Sequence, residues 1–136
     1  MKVVIDTNCL LVALPKKSPY HCVWEAFLSG KLRLCYSTEI LQEYEEVLLR
    51  NYPVENTSII MERLVKLPDA VPIVSYFRWQ LITADPDDNK FVDCALNAGA
   101  DYIITNDKHF NILKTMNFPY VTVVDIETFK NIMKLF

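Results

Sequence analysis

The chain has 136 residues, 51% hydrophobic and 23% charged with only two glycines, which is the balance of one folded domain and excludes a disordered or fibrous chain. A net charge of −3 and a pI near 5.3 argue against a protein that grips nucleic acid through phosphate neutralisation alone, so a phosphate-bearing substrate is expected to be met by metal. Four cysteines, Cys9, Cys22, Cys35 and Cys94, form no C-x-x-C pair and have no matching histidine spacing; this excludes a zinc knuckle or redox motif and reads as reduced core residues.

In chain order, Val3-Val4-Ile5 opens as a β-branched strand. The stretch from Val3 to Leu14 resembles a short export signal, but Asp6, Thr7 and Asn8 interrupt it and no small-residue cleavage site follows, so a cytoplasmic address is expected. Helical spacing then predicts a helix from Tyr20 to Ser29, a strand from Leu32 to Tyr36, and helices from Thr38 to Asn51 and from Asn56 to Lys66. A strand follows from Val71 to Ser75, then a helix from Asp87 to Ala98 that Gly99 closes as a C-cap. A strand from Tyr102 to Thr105, a helix from Lys108 to Thr115, a strand from Val121 to Val124 and a helix from Glu127 to Leu135 complete the chain. No run approaches the roughly 18 apolar residues of a membrane span. There is no internal repeat and no linker, so residues 1–136 are expected to form a single domain.

Alternating strands and helices, with strands that are short continuous apolar runs, predict an α/β fold: a mostly parallel sheet covered by helices on both faces. Ligands in such sheets bind beyond the carboxyl ends of the strands, where strand order reverses. Two acids belong there. Asp6 directly follows the first strand, and Asp107 stands just beyond Tyr102-Ile103-Ile104-Thr105. An ionised carboxylate at a buried strand end loses hydration worth several kcal/mol unless it is paired or binds metal. Both also make good helix N-caps, the plainer reading. Asp125 repeats the pattern after the last strand, and there capping is the preferred reading.

Asp88 has Phe91, Val92, Ala95 and Leu96 at i+3, i+4, i+7 and i+8, which puts it on the apolar face of its helix, whereas Asp93 points away as a solvated charge. In the helix from Thr38, Glu43 and Glu45 fall on opposite flanks of the apolar stripe, and either can reach a cleft or be plain surface. Two carboxylates about 4 Å apart repel by roughly 4 kcal/mol at an effective dielectric near 20, so a cluster of such acids demands cations. Oxygen-only ligands select magnesium or manganese rather than zinc. The basic residues, Lys90 and Arg78 among them, are dispersed and read as solvated surface; neither His21 nor His109 has an obvious partner.

Four segments carry a family resemblance: Val4-Ile5-Asp6-Thr7-Asn8; Ser37-Thr38-Glu39-Ile40-Leu41-Gln42-Glu43; Asp85-Pro86-Asp87-Asp88-Asn89-Lys90-Phe91; and Ala98-Gly99-Ala100-Asp101-Tyr102-Ile103-Ile104-Thr105-Asn106-Asp107. In order and spacing the chain resembles PIN-domain proteins, especially the bacterial branch of toxins from toxin-antitoxin modules. The resemblance implies a three-layer α/β/α sandwich with a parallel sheet of about five strands ordered 3-2-1-4-5. It also implies an acidic pocket that binds Mg2+ or Mn2+ and hydrolyses RNA, with Asp6, Glu43, Asp88 and Asp107 as its acids. Through the spacing from Ser37 the resemblance favours Glu43 over Glu45, and the helical phase favours Asp88 over Asp87. Asn8 and Thr105 match positions that assist the pocket, and Asp6 and Asp88 are expected to ligate metal directly. An antitoxin protein and a homodimer are the expected partners, with Tyr76, Phe77 and Trp79 as contacts unless these are ordinary core or strand-edge residues.

Three rivals remain. An aspartyl-phosphate enzyme would want a second Asp two residues after Asp6, where this chain has Asn8. A dinucleotide or P-loop fold lacks its glycines. A catalytically inactive scaffold of the same fold, acting by binding a partner or RNA, is separated from the enzyme only by an assay.

Overall fold

The computed structural model describes residues 1–74, 78–82, 85–116 and 121–135. Its strands are β1 (Lys2–Ile5), β2 (Arg33–Tyr36), β3 (Val71–Pro72), β4 (Tyr102–Ile104) and β5 (Val123–Val124), in one parallel sheet of order β3-β2-β1-β4-β5. The helices are α1 (Thr7–Ala13), α2 (His21–Leu28), α3 (Thr38–Asn51), α4 (Val54–Val65), α5 (Asn89–Ala98) and α6 (Ile126–Met133), with 3-10 segments at Pro86–Asp88 and Lys108–Thr115. This is the three-layer α/β/α architecture with the expected strand order.

Val3, Val4 and Ile5 are fully buried because β1 is central in the sheet and covered on both faces. Each such side chain stabilises the fold by roughly 1.5–3 kcal/mol. β3 is shorter than expected because it is an edge strand containing Pro72, which has no N–H to extend the ladder; Ser75, the expected end of that strand, lies outside the described residues. Gly99 closes α5 at φ 63°, the left-handed C-cap that its sequence position implied.

Two expectations change. The interrupted apolar stretch after Ile5 folds as α1, a helix too short for its period to be read against the adjoining strand. Lys108–Thr115 winds as 3-10 rather than α-helix. Three cysteines are buried, but Cys22 lies on the solvent side of α2.

The register sets up the site. Ile5 pairs with Ile104, so the chain leaves both central strands at the same end of the sheet, and the Asp6 N–H donates to the Ile104 carbonyl at 2.9 Å. Tyr44 of α3, fully buried, donates its hydroxyl to the Ile5 carbonyl at 2.5 Å and so locks α3 against the end of β1. Tyr44→Phe removes this donor in a dry environment and is expected to lower stability by about 1–2 kcal/mol, read from urea unfolding midpoints. No helix of the described residues is long and apolar enough to cross a membrane.

Candidate functional site

Asp6 caps α1 and faces the switch point between β1 and β4 at once. One carboxylate oxygen, Oδ1, accepts the Thr7 N–H at 2.8 Å, and Oδ2 accepts the buried Thr105 hydroxyl at 2.8 Å. The Thr105 oxygen in turn accepts the Asp107 N–H at 3.0 Å, and Asp107 caps the following 3-10 segment by accepting the His109 N–H at 2.9 Å. Capping and site placement, opposed readings in the sequence, coexist in both residues. Burial pushes the Asp6 carboxyl above its ordinary value; the Thr105 and Thr7 hydrogen bonds oppose this, while the charges of Glu43 and Asp107 add to it.

Glu43 reaches the same place from α3, whereas Glu45 is exposed. The Thr7 hydroxyl donates to its Oε2, and the Lys90 ammonium lies 2.7 Å from its Oε1. Lys90 is not the surface charge its sequence position suggested: its side chain is only 10% exposed and also lies 3.0 Å from Asp87 Oδ2. Burial opposes its charge, but the hydrogen bonds it donates to Glu43 and Asp87 outweigh that and hold the amine above its ordinary pKa.

Asp88 ends the 3-10 turn and stands at the N-cap of α5, one residue before the helix whose phase puts it on the apolar side. Its side chain is 14% exposed, against 77% for Asp87. Among the described residues, Oδ2 is sealed from solvent and accepts no hydrogen bond within 3.5 Å, with His109 Nδ1 standing 3.6 Å away. The carboxyl is pushed from 3.8 up to about 6, chiefly by burial and then by the charges of Asp85, Asp107 and Asp6, with the neighbouring His109 ring opposing the shift.

His109 has partners after all, since its Nδ1 also stands 3.4 Å from Asp107 Oδ1. One ligand atom each from Asp85, Asp88 and His109 fall within 4.8 Å of one another. The converging atoms include an imidazole nitrogen as well as oxygens, and neither Asp85 nor His109 was a candidate in the sequence. Asp85 lies in a quoted motif, but His109 is identified only by the 3-10 turn that swings it back over Asp107. His21 is placed elsewhere, with Nδ1 3.0 Å from the Ala13 carbonyl.

Asp93 is a further correction. It is buried, not solvated, and accepts the Trp79 N–H at 2.9 Å, while Asn89 clamps Ile82 through both its N–H and carbonyl at 2.8 and 2.9 Å. The segment 78–82 thus lies across a face of α5 that helical phase had assigned to water. Asn8 is exposed in the first turn of α1. Of the aromatics expected at contacts, Trp79 is 38% exposed, and Tyr76 and Phe77 lie outside the described residues.

Among the described residues, the basic groups within ion-pair distance of Asp6, Glu43, Asp88 and Asp107 are Lys90, on Glu43, and His109, beside Asp88 and Asp107. The negative charge exceeds the cations supplied. A sealed Asp88 oxygen without a donor among the described residues, on a carboxyl raised by burial and by the charges of Asp85, Asp107 and Asp6, fits a divalent cation.

A parallel sheet ordered 3-2-1-4-5, with acids gathered beyond its central strands, defines the PIN-like class of α/β proteins. The PIN domain family profile matches residues 2–109, a span holding all four acids, and the chain belongs to the PIN domain family. No curated protein matches the sequence significantly. Among solved structures, VapBC2 from Rickettsia felis bound to a DNA fragment from their promoter is similar at TM-score 0.64 and 16% identity, over 92% of this chain and 98% of that one. VapBC-1 from nontypeable Haemophilus influenzae is similar at TM-score 0.63 and 16% identity, over 93% and 99%. FitAcB from Neisseria gonorrhoeae follows at TM-score 0.57 and 14% identity, over 92% and 98%. At these identities the likeness is one of fold.

Proposed function

We propose that this protein is a Mg2+- or Mn2+-dependent endoribonuclease in which Asp6, Glu43, Asp88 and Asp107 form the working pocket, and that it is the toxin component of a toxin-antitoxin pair. The observation that carries the reading is the sealed Asp88 Oδ2, without a hydrogen-bond donor among the described residues and beside the charges of Asp85, Asp107 and Asp6 at the switch point. Asp88, Asp85 and His109, whose ligand atoms converge within 4.8 Å, would hold the cation, with Asp6 and Asp107 acting on Asp88 through their charge. When bound, the cation supplies charge neutralisation and Lewis acidity for phosphodiester hydrolysis.

The chain's own residues prepare that chemistry. Thr7 and Thr105 aim the two oxygens of Asp6 with donors that carry no charge, so the carboxylate keeps its full negative charge for the ion. Thr105 joins Asp6 to Asp107 and so ties together the ends of β1 and β4. Without a cation the pocket repels a phosphate backbone, so RNA should engage it only when the metal is present.

The toxin role is supported by the resemblance to PIN-domain toxins and by fold likeness to the VapBC and FitAcB chains. An antitoxin partner, a homodimer and a cytoplasmic location belong to the same reading. The test is cleavage of a fluorescent single-stranded RNA and of the same sequence as DNA, with Mn2+ and with chelator. The expected result is Mn2+-dependent internal cutting of the RNA. Intact RNA under every condition, from a folded protein that binds Mn2+, would favour the scaffold reading instead.

A further inference from the structure

We propose that Lys90 is a positioning residue serving as the pocket's resident counter-ion: it holds Glu43 where a second divalent cation would otherwise sit, so each chain takes up a single metal ion. The inference rests on the metal-binding reading above and adds the number of ions and the reason for it.

The geometry divides the acids into two groups. Glu43 has both oxygens engaged, Oε2 by the Thr7 hydroxyl and Oε1 by the Lys90 ammonium at 2.7 Å. The same ammonium lies 3.0 Å from Asp87 Oδ2 and 3.0 Å from the Asp87 carbonyl, so three oxygens from two elements surround one half-buried cation. Asp6, Asp88 and Asp107 receive no lysine or arginine among the described residues. A hard divalent ion such as Mg2+ needs contacts of about 2.0–2.1 Å, and paired ions in two-metal sites stand about 3.5–4 Å apart. An ion on Glu43 Oε1 would have to displace the ammonium already on that oxygen.

Anchoring makes displacement hard. Lys90 lies in the first turn of α5, directly after Asn89, whose amide clamps Ile82, and its side chain is 10% exposed. The ammonium has little water to retreat into, so leaving Glu43 would strand either the amine or the carboxylate. A lysine free in solvent would yield to a divalent ion; this one is held by the fold.

The experiment is calorimetric titration of Mn2+ into the chelator-treated protein, with the bound ion counted independently by Mn2+ electron paramagnetic resonance. Wild type is expected to take up about one equivalent, Lys90→Gln about two, Lys90→Arg about one, and the double variant Glu43→Gln/Lys90→Gln about one, because the added ion should sit on Glu43. A purely structural lysine would not change the count. Two equivalents in wild type, or an unchanged count in a folded Lys90→Gln, overturns the proposal while leaving the metal reading intact. If Lys90→Gln does not fold, the wild-type and Lys90→Arg counts decide it. No Mn2+ uptake by wild type overturns the proposed function and this inference together.

Discussion

Asp6→Asn is expected to lose at least about 100-fold of Mn2+-dependent RNA cleavage while melting about 3–5 °C higher than wild type in metal-free buffer. The two effects have one cause. Burial and the charges of Glu43 and Asp107 both disfavour the ionised Asp6, as its raised pKa records, so removing the charge relieves the metal-free fold. Asparagine keeps the local structure: its amide oxygen can accept the Thr7 N–H, its amide nitrogen can donate to Thr105, and it caps a helix as well as aspartate does. Only the negative charge is lost. Differential scanning fluorimetry with and without Mn2+, beside the cleavage assay, measures both effects, and the Mn2+-induced rise in melting temperature should shrink in the variant. A variant that cuts at the wild-type rate, or melts several degrees lower, would make Asp6 a structural cap with no part in the pocket.

The same residue shows how far a sequence carries. A β-branched run followed at once by an acid marks a strand end on purely local grounds, and β1 with Asp6 and β4 with Asp107 were legible for that reason. Local reasoning could not choose between capping and a place in the pocket; both residues do cap, and the same turns hold them beyond the ends of β1 and β4. Asp93 and Lys90 were misread because their partners lie far away in the chain. Helical phase says which way a side chain leaves its helix, but not that segment 78–82 will cross that face or that Glu43 will arrive from α3. His109 was obscured by the backbone itself, since a 3-10 turn puts side chains where an α-helical count does not. The sheet order and the choice of Glu43 over Glu45 came through family resemblance rather than from periodicity.

The Mn2+-induced rise in melting temperature is expected to be small at pH 5, to grow steeply toward pH 6 and to level off near pH 7, with Asp88 setting the curve. In the folded, metal-free chain this carboxyl holds its proton up to about 6, against 3.8 for the ordinary group. Between those values the folded state binds more protons than the unfolded one, so Asp88 makes metal-free stability fall as pH rises through that window, by up to about 3 kcal/mol. Asp6 is shifted in the same direction and contributes with the same sign. A cation must displace the proton from Asp88 Oδ2, so below pH 6 its apparent affinity should drop about tenfold per unit, while above pH 6 it binds a carboxylate whose repulsion it relieves. Asp88→Asn should flatten both curves together: the metal-free protein gains stability near pH 7, and Mn2+ adds little at any pH. Melting curves from pH 4.5 to 8, with and without saturating Mn2+, read both quantities in one series. Equal Mn2+ stabilisation at pH 5 and pH 7.5 would place the ion away from Asp88, because a ligand with that proton affinity cannot bind metal equally well on both sides of its own titration.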